Sequence, residues 1–145
     1  MRVSEMTSEF AIAVHALVYL NHKQETLASE ELAKNVCTNP ARIRKVMAKL
    51  KKKELIATKE GQNGGYHTSM KAADVNLAMI YDALEIEAVC ASWKSGNPDM
   101  NCMVASGMAD IMDDIYGQLN EVCREKLRRI TIADIDNKIF HREER

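Results

Sequence analysis

The chain has 145 residues, 46% of them hydrophobic and 28% charged, the balance of a globular protein with enough length for one buried core. Two prolines and six glycines exclude a collagen-like or low-complexity chain, and no apolar run reaches the roughly 20 residues a membrane span needs. The net charge of −1 conceals an asymmetry: residues 1–70 hold 11 Lys/Arg against 7 Asp/Glu, whereas residues 71–145 hold 9 against 14.

No cationic start followed by an uninterrupted apolar run opens the sequence, so the cytoplasm is the expected compartment. The four cysteines then read as reduced thiols, metal ligands or redox switches rather than a disulfide framework. Sparse glycine and proline predict a mainly helical fold. A first helix fits Ser8–His22, capped by Ser8 or Thr7, with Phe10, Val14, Leu17 and Val18 on one apolar face. His15 lies at the edge of that face. A short second helix fits Glu30–Val36, with Ser29 as its N-cap.

The segment Cys37-Thr38-Asn39-Pro40 then signals a helix start, a capping asparagine followed by proline at the first helical position. The third helix runs from Pro40 to about Lys53. Ile43, Val46, Met47 and Leu50 recur at i, i+3, i+4 and i+7 and define an apolar stripe. Arg42, Lys45, Lys49, Lys52 and Lys53 fall on the adjacent arc, with Arg44 and Lys51 beyond the stripe. Asn39 to Lys53 contains seven cations and no acid.

Leu55–Lys59 and Tyr66–Ser69 flank the turn Glu60-Gly61-Gln62-Asn63-Gly64-Gly65 and predict a β-hairpin. The glycines match no dinucleotide or phosphate-loop fingerprint, because strand rather than helix follows them. They serve positive φ or close approach to a DNA backbone. A cationic helix alone reads as a solvated face. A short helix, a tight turn, a cationic helix and a hairpin in succession make a winged helix-turn-helix, whose second helix suits the major groove of duplex DNA.

A fourth helix fits Asn76–Glu85, with Leu77, Ile80, Tyr81 and Leu84 inward. Residues 88–101 read as irregular, and Trp93 there suits either an effector pocket or a packing anchor. A long fifth helix fits Cys102–Arg129. Met108, Met112, Ile115, Leu119 and Val122 keep the spacing of a helix–helix seam, which suits a dimer interface or a monomer core. Met100 and Met103 extend this adaptable apolar surface, as filler or as a ligand site. Thr131 and Asp134 form a capping box for a last helix, Ile132–Phe140. Residues 1–87 are thus expected to form the DNA-binding domain, and residues 88–145 a sensor loop with dimerisation helices.

The block from Asn39 to Leu50, followed by Lys53-Glu54-Leu55-Ile56, with the Gly64-Gly65-Tyr66 wing and the helix from Leu77 to Glu85, resembles the Rrf-two group of bacterial transcription regulators, which includes IscR, NsrR and CymR. The resemblance implies a homodimer with one winged helix-turn-helix per subunit and a long C-terminal helix crossing to the partner. By that resemblance Asn39, Ala41, Arg42 and Arg44 lie nearest the bases, and Arg42 or Arg44 can fork onto guanine. Thr38, Lys45, Lys49, Lys52, Lys59, Gly64, Gly65 and Tyr66 complete the expected DNA-binding set. Where the family places an arginine before the first wing glycine this chain has Glu60, leaving Lys59 as the cation able to substitute.

Family members with an iron–sulfur cluster use three closely spaced cysteines before the long helix. Here Cys90 and Cys102 have eleven residues between them and no third cysteine among these, and Cys37 and Cys123 match no ligand position. No cluster and no other metal site are therefore expected. Cys102 at a helix start suits a reactive thiolate with Cys90 as its resolving partner, and both also suit ordinary reduced thiols. No nucleophile–base pair, carboxylate pair or metal-ligand set points to an enzyme. The expected function is a homodimeric, sequence-specific DNA-binding repressor, open to thiol or small-effector control. The alternative is a winged-helix module that docks an acidic protein partner.

Overall fold

The computed structural model describes residues 3–141, with side chains from Ser8 onward. Six helices and one hairpin follow in order: α1 (Val3–Lys23), α2 (Ser29–Val36), α3 (Pro40–Lys52), β1 (Ile56–Lys59), β2 (Gly65–Thr68), α4 (Leu77–Ala83), α5 (Met103–Arg128) and α6 (Ile132–Phe140). A 3-10 turn at Ala72–Asp74 joins β2 to α4. Three helix starts are fixed by local chemistry. Asn39 Oδ1 accepts the Arg42 N–H at 2.9 Å, Asn76 Oδ1 accepts the Met79 N–H at 3.0 Å, and Thr131 and Asp134 form a reciprocal capping box. Each such cap contributes about 1 kcal/mol.

Two expected caps are not used. α1 begins before Thr7 and Ser8, so both lie inside the helix. Ser29 is the first residue of α2, and Ala28 holds the cap position without a side-chain bond. Ser29 Oγ instead donates to Glu30 Oε2 at 3.2 Å and accepts from Arg44. The turn between α2 and α3 places Cys37 at φ 65°, in the left-handed region that usually favours glycine. The Cys37 N–H bonds to Ala33 O, and the Thr38 N–H bonds to the same carbonyl at 3.0 Å.

The chain divides into two compact units. The first ends at Ile86 and resumes from Leu127, so α6 joins the N-terminal helices rather than forming part of a separate 88–145 domain. Its core is built from Leu20, Leu27, Leu32, Ile43, Met47, Leu50, Ile80 and Leu84, all nearly fully buried. On α1 the deep face is Ala13, Ala16, Leu17 and Leu20. Phe10 and Val14, expected on the core face, pack against the core from its edge and also line an open apolar groove of about 590 Å³ together with Tyr19, His22 and residues of α6. The His22 ring stacks on Phe140 there, with centroids 4.3 Å apart. α6 reaches the core through backbone bonds from Leu77 N–H to Ile130 O and from Ile132 N–H to Val75 O, both 2.9 Å.

The second unit is Glu87–Lys126. The segment before α5 is irregular, as expected, but it is tied to the helix at two levels. Asn120 receives the Val89 N–H at 2.8 Å and donates to Val89 O at 2.6 Å. Near the start of α5, the Asn97 N–H bonds to Ala105 O at 2.9 Å. Trp93 is 78% exposed, so it is not a buried anchor beneath the loop.

The hairpin pairs antiparallel, with Ile56 opposite Thr68 and Lys59 opposite Gly65. Its second strand also bonds to the α1–α2 connection: Leu27 N–H to Tyr66 O at 2.9 Å and Tyr66 N–H to Leu27 O at 2.8 Å. A Cβ at Gly65 would stand 2.3 Å from Leu27 O, so this position is glycine because two backbones meet there. Gly64 is constrained likewise, with Lys59 O 2.4 Å from its would-be Cβ. The close approach expected of these glycines is therefore made to the protein's own backbone. Gly65→Ala should lower stability by about 1–3 kcal/mol by forcing the wing off Leu27. Urea denaturation checks this, and an unchanged midpoint contradicts the clamp.

Candidate nucleic-acid interface

α3 is anchored by its apolar stripe. Ile43, Val46, Met47 and Leu50 are each no more than 1% exposed. The opposite flank carries the charge, but the seven cations are not equivalent. Arg42, Lys51, Lys52 and Lys53 are exposed, and none of them joins the ion pairs that Arg44, Lys45 and Lys49 make with Glu30 and Glu9. Ala41 is exposed beside Arg42 at the N-terminal end. Lys59 at the end of β1 is exposed next to Glu60 in the wing turn. Thr38 is half-buried in the turn before α3.

Four expected DNA contacts are otherwise engaged. Asn39 is exposed, but its Oδ1 is occupied in capping α3 through the Arg42 N–H. Arg44 donates to Ser29 Oγ at 3.2 Å and lies 3.8 Å from Glu30 Oε1, so it leans toward α2. This pair is largely exposed, and water and salt keep it weak. Arg42 is thus the arginine of α3 that is not drawn toward α2. Lys49 is turned inward, its Nζ donating to Glu9 Oε2 of α1 at 2.9 Å. Lys45 Nζ sits 3.3 Å from the other Glu9 oxygen.

Glu9, the buried partner of these two lysines, is not apparent from local sequence pattern. Its signal lies in the buried face of α1, where Glu9, Ala13, Ala16 and Leu20 follow 4-3-4 spacing, and a lone acid there requires a cation from a packed neighbour. Burial pushes the Glu9 carboxyl up, and hydrogen bonds and charge from Lys49 and Lys45 more than offset this, holding it below the usual carboxylate value. Tyr66 joins the same surface from the wing. Burial raises its phenol, with the Arg44 charge opposing and the Glu30 charge assisting.

The cysteines do not come together. Val89 is clamped at Asn120, whereas Cys102 directly precedes α5 at Met103. Seventeen residues of helix span about 25 Å, far beyond the roughly 7 Å between Cα atoms that a disulfide tolerates. Cys90 is therefore not a resolving partner for Cys102 within one chain, although both thiols are exposed. The Cys102 thiol is held below its usual value by the backbone N–H groups of Ala105 and Val104, as a helix start should do.

On α5 no residue is buried. Met108 and Met112 are half-buried, while Ile115, Leu119 and Val122 are exposed, so the seam does not serve as a monomer core. Val104 and Ile111 are also exposed and lengthen the apolar surface beyond the residues read from spacing.

The Rrf2 family, described as an iron-dependent transcriptional regulator, matches residues 6–138. This chain belongs to the Rrf2 family. The HTH-type transcriptional regulator YwnA of Bacillus subtilis is 26% identical over 137 residues, 93% of this chain and 99% of that protein. The HTH-type transcriptional regulator NsrR of Oceanobacillus iheyensis is 29% identical over 82 residues, 57% of this chain and 56% of that one. The crystal structure of a transcriptional regulator from Lactobacillus plantarum superposes with a TM-score of 0.79 at 27% identity, covering 92% of this chain and 90% of that one. The Rrf2 relatives are transcriptional regulators, not enzymes. Among the described residues no three His, Cys, Asp or Glu side chains stand where they could hold a metal ion. Among the described residues no helix is long and apolar enough to cross a membrane.

The Glu9 pairing has a pH signature. A carboxyl held lower in the folded than in the unfolded chain contributes stability that is present above its ordinary value, near 4.5, and is lost as pH falls through the folded value. Glu9→Gln should therefore flatten the acid limb of the stability curve. Urea midpoints between about pH 6 and pH 3.5 check it. Equal acid losses in variant and wild type contradict it.

Proposed function

We propose that this Rrf2-family regulator binds duplex DNA sequence-specifically as a homodimer and represses transcription by occupying operator DNA in the cytoplasm. The observation that carries this reading is the exposed, unpaired Arg42 at the start of an acid-free helix, anchored behind by a buried stripe and flanked by a wing. Helix N-termini reach base edges in the major groove, and arginine pairs bidentately with guanine. Lys52, with Lys51 and Lys53 at the far end, supplies salt-sensitive attraction to phosphate.

The test is titration of labelled duplexes, selected from a random pool, across a salt series. Arg42→Ala should weaken the selected site by about 1–3 kcal/mol and relax base preference, whereas Lys52→Ala should weaken all duplexes similarly and reduce the salt slope by about one. A folded protein with no duplex binding at low salt overturns the reading. It would favour an interaction module whose cations meet an acidic protein.

The homodimer rests on α5, which exposes Val104, Ile111, Ile115, Leu119 and Val122 and buries nothing of its own. Such an apolar surface calls for a partner. Leu119→Asp should convert a dimer to monomers and weaken operator binding, as read by light scattering on a sizing column. A wild-type monomer overturns the dimer. In this reading any thiol response rests on Cys102 alone, because Val89 and Asn120 hold Cys90 at another level of the helix.

A further inference from the structure

Glu9 contacts neither the wing nor the base-reading end of α3, yet it faces two of the helix's seven cations. Its side chain is 8% exposed, against 31% for Lys49 and 66% for Lys45. One carboxylate therefore offsets half the charge of this lysine pair in the middle of the helix. Arg42 at one end and Lys51, Lys52 and Lys53 at the other stay outside these ion pairs. The charge along α3 is thus free at its ends and tied down at its centre, a pattern invisible in a count of lysines.

We propose that Glu9 is a positioning residue that sets how many recognition-helix cations reach the DNA backbone, by holding Lys49 against α1 and sharing Lys45. The inference rests on the DNA-binding reading above. Its physical basis is counterion release: each lysine seated on a phosphate adds about 0.9 to the slope of log affinity against log salt, whatever the sequence. A lysine seated on a buried carboxylate adds nothing. Holding Lys49 back lowers attraction to random DNA, which competes with the operator at a great excess of sites. The long, partly exposed Lys45 remains able to lean either way.

The experiment measures salt slopes on a random-sequence duplex for full-length wild type, Glu9→Gln and Glu9→Asp, each checked for folding by circular dichroism. Glu9→Gln releases the lysines and should steepen the slope by about one and tighten binding. Glu9→Asp keeps the negative charge and should stay near the wild-type slope, a distinction that a purely structural role would not produce. An unchanged slope in folded Glu9→Gln overturns the proposal.

If Glu9→Gln does not fold, the double variant Glu9→Met with Lys49→Met replaces the buried pair by apolar groups of similar length. Its slope should be no shallower than wild type. A slope shallower by about one would mean that Lys49 leaves Glu9 for phosphate in the complex, and would overturn the proposal. Failure of wild type to bind any duplex is a separate result: it removes the regulator reading itself.

Discussion

Burial of one stripe of α3 decides what the rest of the molecule can do. Ile43, Val46, Met47 and Leu50 are excluded from water almost completely. At about 1.5–3 kcal/mol for each side chain fully buried, their combined contribution is about 6–12 kcal/mol, comparable with the whole stability of a small domain. No exposed ion pair approaches that size. The apolar stripe therefore sets the rotation of α3 about its axis, and the charged groups adjust within it. Asn39 fixes where the helix starts, Glu9 draws its middle lysines toward α1, and Ser29 and Glu30 draw Arg44 toward α2. What remains outward is a consequence of that hierarchy.

The parts legible in the sequence are those governed by neighbours in the chain. The caps at Asn39, Asn76 and Thr131 act over three residues, and those at Asn39 and Thr131 stand where the pattern put them. The four-residue stripe of α3 and both hairpin strands are equally local signals. The parts that were not legible depend on pairs distant in sequence. Lys49 looks like a DNA contact until Glu9, forty positions earlier, is seen beside it. Cys90 and Cys102 look like partners until Asn120 holds the neighbouring Val89 one end of a helix away. Gly65 looks like a wing glycine facing DNA until Leu27 is found against it. Cys37 shows a further limit: main-chain bonds to Ala33 O at the end of α2 accompany a left-handed backbone at an exposed residue with a Cβ, where glycine is the usual occupant.

The two units handle apolar surface in opposite ways. The first closes a core around helices α1 to α4, with Ile132 of α6 completing it. The second has one long helix and an irregular segment, and that helix buries none of its own side chains. A segment of that kind gains little by folding alone, so its order is tied to whatever covers its apolar side.

The bridge between Leu27 and Tyr66 has a consequence for how such a protein can vary. The wing is stitched by two main-chain hydrogen bonds to the short connection between α1 and α2. Main-chain bonds ignore side-chain identity but not chain length. Residues in that connection can therefore change freely in type, whereas inserting or deleting one shifts the stitch and re-aims the hairpin. The reach of the wing is in this way recorded in the length of a loop that lies nearly forty positions before it.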